Sequence, residues 1–188
     1  MLGGMRAAVA GGFWLRTNLA WDRRDEAATT ALLHLTVAAD ERTLYFWLNG
    51  ARMLAYDLPE WRTEGAPRAQ RQRVAAEQAR AALNFLEKGL QAHSADAELY
   101  IEMANIRLRA LGDREGAARL FRLAAEQPRA PYYAARIHAE LLRELGRPAE
   151  ALVWLKQILP LLPADDPAAC CAVVRERIKG LEQEAAGK

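Results

Sequence analysis

The sequence predicts an all-α protein built from repeated helix pairs, and three observations carry that expectation. Composition is the first: 39 Ala and 27 Leu stand against 5 Ile and 6 Val, so strong helix formers prevail over the β-branched residues that favour strands. The second is a period of 34 residues that lays Leu111-Gly112-Asp113 over Leu145-Gly146-Arg147 without a gap. The third is a C-terminal stretch, residues 165–185, with one apolar and one charged face, as the last member of a helical stack requires. A length of 188 residues suits one domain. Within it the units fall near residues 10–42, 43–95, 96–129 and 130–163.

The first unit opens on a glycine-interrupted apolar segment, Leu2-Gly3-Gly4 and then Ala7 to Trp14. Its longest apolar run, Ala7 to Leu15, is too short to span a bilayer and has no secretory cleavage pattern. A helix is expected from Phe13 to Trp21, with Trp14, Asn18 and Trp21 at helical spacing, then a turn at Arg23-Arg24-Asp25 and a partner helix from Asp25 to Ala39. In the second unit the first helix is expected over Leu44 to Asp57, with Trp47, Ala51 and Leu54 turned inward. Residues 58–73 then read as an insertion, rich in Arg and punctuated by Pro59, Gly65 and Pro67. The partner helix runs from Ala69 towards Leu90, with Gly89 as its first breaker.

The last two units are the most regular. Tyr100, Ala104 and Leu108 form the inward stripe of one first helix, and Tyr133, Ile137 and Leu141 that of the next. Gly112 and Gly146 follow those helices and can adopt the positive φ that reverses the chain. Ala117 and Ala151 then allow close helix approach, while Phe121 and Leu155, four residues later, fill the space between neighbours. Pro128 and Pro163 stop the second helices. A helix, a glycine turn, a helix and a proline stop at this period resemble the tetratricopeptide repeat. The resemblance covers Phe13 to about Glu184 and implies a superhelical solenoid of about four units. Asp165-Asp166-Pro167 starts the capping helix, whose apolar face is Val173, Val174, Ile178 and Leu181.

That resemblance implies a concave groove lined by the first helices. Its positions here are Tyr45, Leu48, Arg52 and Tyr56; then Ile101, Asn105, Leu108 and Arg109; then Ala135, Ala139, Leu142 and Arg143. Tyr45, Arg52, Tyr56, Asn105, Arg109 and Arg143 are the expected partner-binding groups, suited to a peptide with acidic residues. Some members of the family hold a C-terminal carboxylate through Lys, Asn and Arg. Asn105 and Arg109 supply two of these types, but no lysine lies between Lys88 and Lys156, so that role is not carried over. Trp61 and Arg62 mark the insertion as a further surface: the tryptophan is either an interface anchor or a staple to the repeat.

The rest of the sequence narrows the function by exclusion. The net charge is +2, which announces no nucleic-acid or membrane partner. The alternative is a nucleic-acid binder using residues 62–80, where Arg62, Arg68, Arg71, Arg73 and Arg80 face only Glu64 and Glu77. His34, His93 and His138 have no neighbours at metal-ligand spacing, and hydrolase and phosphate-loop motifs are missing. No catalytic, metal or cofactor residue is therefore expected. Cys170 and Cys171 are adjacent and read as small buried or half-buried helix residues in a reducing compartment. The expectation is a bacterial, cytoplasmic, non-catalytic scaffold for a protein or peptide partner. Membrane anchorage is the alternative if an apolar segment precedes Met1.

Overall fold

The structure, a computed structural model, describes residues 2–186 and is helical throughout, with no strand among them. Its contacts gather into two compact units: Met1–Ala95 with Arg109–Leu111, and Asp96–Leu108 with Gly112–Lys188.

In the first unit α1 (Leu2–Asp22) pairs with α2 (Glu26–Ala39). Arg24 takes a left-handed φ of 54° at the turn, and Asp25 caps α2 by accepting from the Ala28 N–H at 3.0 Å. Helix α1 begins eleven residues before the expected start at Phe13. Gly3, Gly4, Gly11 and Gly12 each cost about 1 kcal/mol of helix propensity, yet the alanines between them and the packing of Ala10, Thr17 and Ala20 carry the helix through.

Helix α3 (Leu44–Arg52) continues through a π-helical turn (Met53–Asp57) into α4 (Leu58–Arg62). The expected stop at Asp57 is therefore overrun, and the expected insertion over 58–73 shrinks to the loop before α5 (Arg68–Ala92). The π turn is the reason. In it the Leu58 N–H bonds back to the Met53 carbonyl, and the widened turn accommodates the Pro59 ring, which would crowd a regular helix interior. Gly89 does not break α5 either. A Cβ there would lie 3.0 Å from Cδ2 of Trp47, and one on Gly50 would lie 3.0 Å from Cε1 of Phe85. Each of α3 and α5 thus gives a glycine to a ring of the other, and the two rings stand 4.8 Å apart. The Trp47 Nε1–H also donates to the Glu41 carbonyl at 2.8 Å, which fixes the indole.

In the second unit α6 (Ala97–Ala110), α7 (Arg114–Ala125), α8 (Tyr132–Glu144) and α9 (Pro148–Ile158) follow the expected helix–turn–helix order. Gly112 and Gly146 have φ of 65° and 75°. Ala117, Phe121, Ala124, Ala151 and Leu155 are all buried, so the residues matched at the 34-residue period share one structural role. Two cores result. Ala104, Ala117, Phe121 and Leu141 lie in one, and Ala135, Ala139, Leu142, Leu155, Val174 and Ile178 in the other.

The closing helix departs from expectation at its start. Asp166 accepts from the Ala168 N–H at 2.8 Å, but this caps only a 3₁₀ turn, Pro167–Ala169. Cys170 then takes a left-handed φ of 49°, and α10 runs over Cys171–Ala186. Cys170 is consequently a half-buried turn residue and not a helical one. Val174, Ile178 and Leu181 are buried, whereas Val173 points outward.

Candidate functional site

The groove positions separate on inspection. Tyr45 is exposed and meets Trp14 edge-on at 5.4 Å, Arg52 is exposed, and Tyr56 is half-buried in the π turn. These three, with exposed Arg109, belong to the first unit; half-buried Asn105 and exposed Arg143 belong to the second. Of the apolar residues expected to line the groove, Leu108 is half-buried. Leu48, Ile101, Ala135, Ala139 and Leu142 are all buried, the last three because they pack in the core that includes α9 and α10. Trp61 is half-buried 6.0 Å from Trp21, while the Trp21 Nε1–H donates to Asp57 at 2.8 Å; it ties the chain after the π turn to α1. Arg62 is exposed and reaches Glu26 at 3.5 Å and Glu77 at 3.9 Å.

The open apolar surface of the second unit lies elsewhere, around Tyr133 and Arg136 on α8. The pair borders two hollows. One, of about 270 Å³, opens towards α10 and is walled by Ile137, Leu155, Val173 and Val174. The other, of about 750 Å³, opens towards the end of α9 and is walled by Ile158, Leu161 and Leu162. Leu161 is 80% exposed, and Tyr133 and Val173 also face outward. Exposed apolar side chains that flank ready-made hollows have a binding surface's character, since their burial against a partner is favourable and their ordering is already done.

Charge surrounds this surface in an ordered way. Glu140 is engaged by Arg177 and accepts from Arg143 Nη2 at 2.6 Å and Nε at 3.2 Å. Arg136, one turn before Glu140, has no ion-pair partner among the described residues. Two guanidinium groups against one carboxylate leave this rim cationic even before Arg136 is added.

A separate cleft of about 620 Å³ runs between α7 and α9 over a base of His138 and Leu142. The His138 Nδ1–H donates to the Ala118 carbonyl at 2.8 Å, which fixes the tautomer because a carbonyl only accepts. The imidazole meets the Trp154 ring edge-on at 4.9 Å, and the Trp154 Nε1–H donates to the Ala135 carbonyl at 2.9 Å. Burial holds the His138 pKa below the usual histidine range, with Arg122 and Arg147 acting in the same direction against the Ala118 bond and Glu126. Arg147 bridges Glu150 at 2.6 Å and Glu115 at 2.9 Å, and this hydrogen bonding holds the Glu150 carboxyl below the ordinary range. Every cation here except Arg119 is closely paired; Arg119 stands 4.0 Å from Glu115. The cleft is an internally neutralised seam that braces α7 against α9.

The arginines of 62–80 do not form one strip. Arg68, Arg71, Arg73 and Arg80 are exposed on α5, but helical periodicity sets the first two on a different side from the last two, and Arg71 is turned back to the Ala66 carbonyl at 2.7 Å. No cluster of three or more His, Cys, Asp or Glu that could hold a metal lies among the described residues. No family model matches the chain, and no curated protein matches it.

Proposed function

We propose that the protein is a non-catalytic, tetratricopeptide-like binding module whose partner is a protein segment with an apolar anchor beside acidic residues. The observation that carries this reading is the Tyr133–Arg136 edge of α8, with an apolar hollow on each side and a rim of Arg136, Arg143 and Arg177. An aromatic or aliphatic anchor fills a hollow, and a neighbouring carboxylate meets Arg136, the guanidinium without an internal partner. Helix α8 contributes Ala134 and Leu141 to one core and Ala135, Ala139 and Leu142 to the other, so its backbone is already held and little ordering is needed at binding.

The test is a selection of random displayed peptides on the intact protein. Enriched peptides are expected to carry a large apolar residue within a few positions of Asp or Glu. Their affinity is expected to fall at least roughly tenfold, about 1.4 kcal/mol, in Tyr133→Ala and in Arg136→Glu, with melting unchanged because both side chains reach solvent. Peptides that bind those variants as well as the parent, or no enrichment of the acidic-apolar pattern, would remove this reading.

A further inference from the structure

A second surface, in the first unit, has a different chemistry. Helix α1 has 21 residues and its partner α2 has 14, so α1 outruns α2 by about two turns at its N-terminal end. Every residue from Gly4 to Val9 is exposed there. Further along, the outward arc of α1 stays apolar: Met5 is 70% exposed, Leu15 67%, Leu19 55% and Val9 51%. Arg16 is the one charge on that arc before Asp22. Helix α2 adds exposed Ala31, Leu35 and Ala38, and carries no charged residue between Glu26 and Asp40. Water-facing helices ordinarily place charge at such positions. An apolar arc this long on a surface marks an interaction site, and two turns of helix exposed all round gain no stability from packing within the first unit.

The charges identify the occupant. Arg6 and Arg16 have no ion-pair partner among the described residues, and no carboxylate occurs from Leu2 to Trp21. A second copy laid parallel on this face would bring Arg6 and Arg16 against their own counterparts, and the nearest acids, Asp22 and Asp25, lie only at the C-terminal end of the arc. A partner that is apolar within and anionic at its surface satisfies both features together. From these observations we infer that α1 is a peripheral membrane-binding face, and that the surface it takes is a bilayer containing anionic phospholipid. Met5, Val9, Leu15 and Leu19 enter the headgroup and upper acyl layer, while Arg6 and Arg16 lay their methylene stems along the helix and reach lipid phosphates. No helix among the described residues is long and apolar enough to cross a membrane; α1 lies along the interface. This surface is independent of the Tyr133–Arg136 edge.

Flotation of the purified full-length chain with vesicles decides the matter, using phosphatidylcholine alone or mixed with phosphatidylglycerol. The protein is expected to float with the mixed vesicles, less with phosphatidylcholine alone, and less as salt is raised. Leu15→Glu combined with Leu19→Glu is expected to lower the bound fraction at least roughly tenfold. Arg6→Gln combined with Arg16→Gln is expected to abolish the preference for phosphatidylglycerol. All four side chains are exposed, so circular dichroism and melting serve as the check on folding. Protein that stays unbound with every vesicle overturns the inference, as does flotation indifferent to the leucine pair or to the anionic lipid. So does light scattering that shows a dimer which Leu15→Glu/Leu19→Glu turns into a monomer, because the face would then belong to a second copy.

Discussion

Substituting Gly89 by alanine sets two opposed effects against each other inside one helix. Alanine is favoured over glycine in a helix interior by about 1 kcal/mol, and Gly89 lies within α5, so backbone preference alone makes the variant more stable. Against this, the new Cβ would stand 3.0 Å from Trp47 Cδ2 and 3.2 Å from Cε3 and Cγ, closer than carbon atoms pack without strain. The indole cannot slide away freely, because its Nε1–H is held by the Glu41 carbonyl and its other neighbour is the Phe85 ring. Overpacking of this kind costs about 1–3 kcal/mol. The net expectation is a loss of about 1 kcal/mol, measured by urea denaturation followed by circular dichroism. Gly180 in α10 is the control, since a Cβ there meets nothing within 4 Å; Gly180→Ala is expected to gain up to about 1 kcal/mol. Trp47→Phe combined with Gly89→Ala isolates the contact, and a coupling of at least about 0.5 kcal/mol is expected. A Gly89→Ala protein stabilised like Gly180→Ala, or a double-mutant cycle without coupling, would refute the ring-on-glycine account of how α3 and α5 pack.

Three further outcomes are expected. At the turn, Gly112→Ala should destabilise by about 1 kcal/mol through its φ of 65° alone, since its Cβ also meets nothing within 4 Å; Gly112→Asn should be milder because Asn tolerates that region, and thermal denaturation ranks the two. Asp113 accepts from the Gly116 N–H at 2.8 Å, and this bond, with that from Arg107, holds its carboxyl below the ordinary carboxylate range. Asp113→Ala should therefore cost about 1 kcal/mol at neutral pH, and the difference from the parent should vanish as pH falls through the lowered native pKa, where the parent's carboxylate also gains its proton. The His138 pKa is depressed in the folded protein, so the unfolded chain binds the extra proton first. The parent should lose stability relative to His138→Gln as pH falls below about 6.5, with no further change once the native imidazole is itself protonated. A difference that does not change with pH would show that the imidazole is not held neutral by burial.

Which parts of this architecture can be read from sequence depends on the range over which each is determined. The turns at Gly112 and Gly146 and the caps at Asp25 and Asp113 involve partners within a few residues, and their chemistry is visible in the chain. The start of α1, the persistence of helix through Pro59 and the role of Gly89 depend on what lies across the helix. Gly89 and Gly50 illustrate the difficulty: as isolated residues they read as weak points in a helix, and only the rings of Trp47 and Phe85 opposite them turn the missing Cβ into a fit. Composition and a 34-residue period were enough for helix pairs, because both express local preference repeated along the chain.

On α8 one expectation, that Tyr133 faces inward, fails for a related reason. Of the stripe expected inward, Leu141 is buried and Ile137 packs against the same core, whereas Tyr133 is exposed; the other buried residues of the helix are Ala134, Ala135, His138, Ala139 and Leu142. Helices that pack closely select small residues where they touch, so the alanines mark the contact and the larger Tyr133 is displaced to the opposite arc with Arg136 and Glu140. A sequence signal for this existed: two adjacent alanines at 134–135 recur as Ala139 one turn on, the spacing of a helix face. Once the alanines define the inside, an aromatic residue left outside has no packing role to explain it. The same reasoning applies to α1, where Ala10, Thr17 and Ala20 are buried and Met5, Leu15 and Leu19 are not. In both helices small side chains dominate the buried face, and Met5, Leu15, Leu19 and Tyr133 are large side chains turned outward.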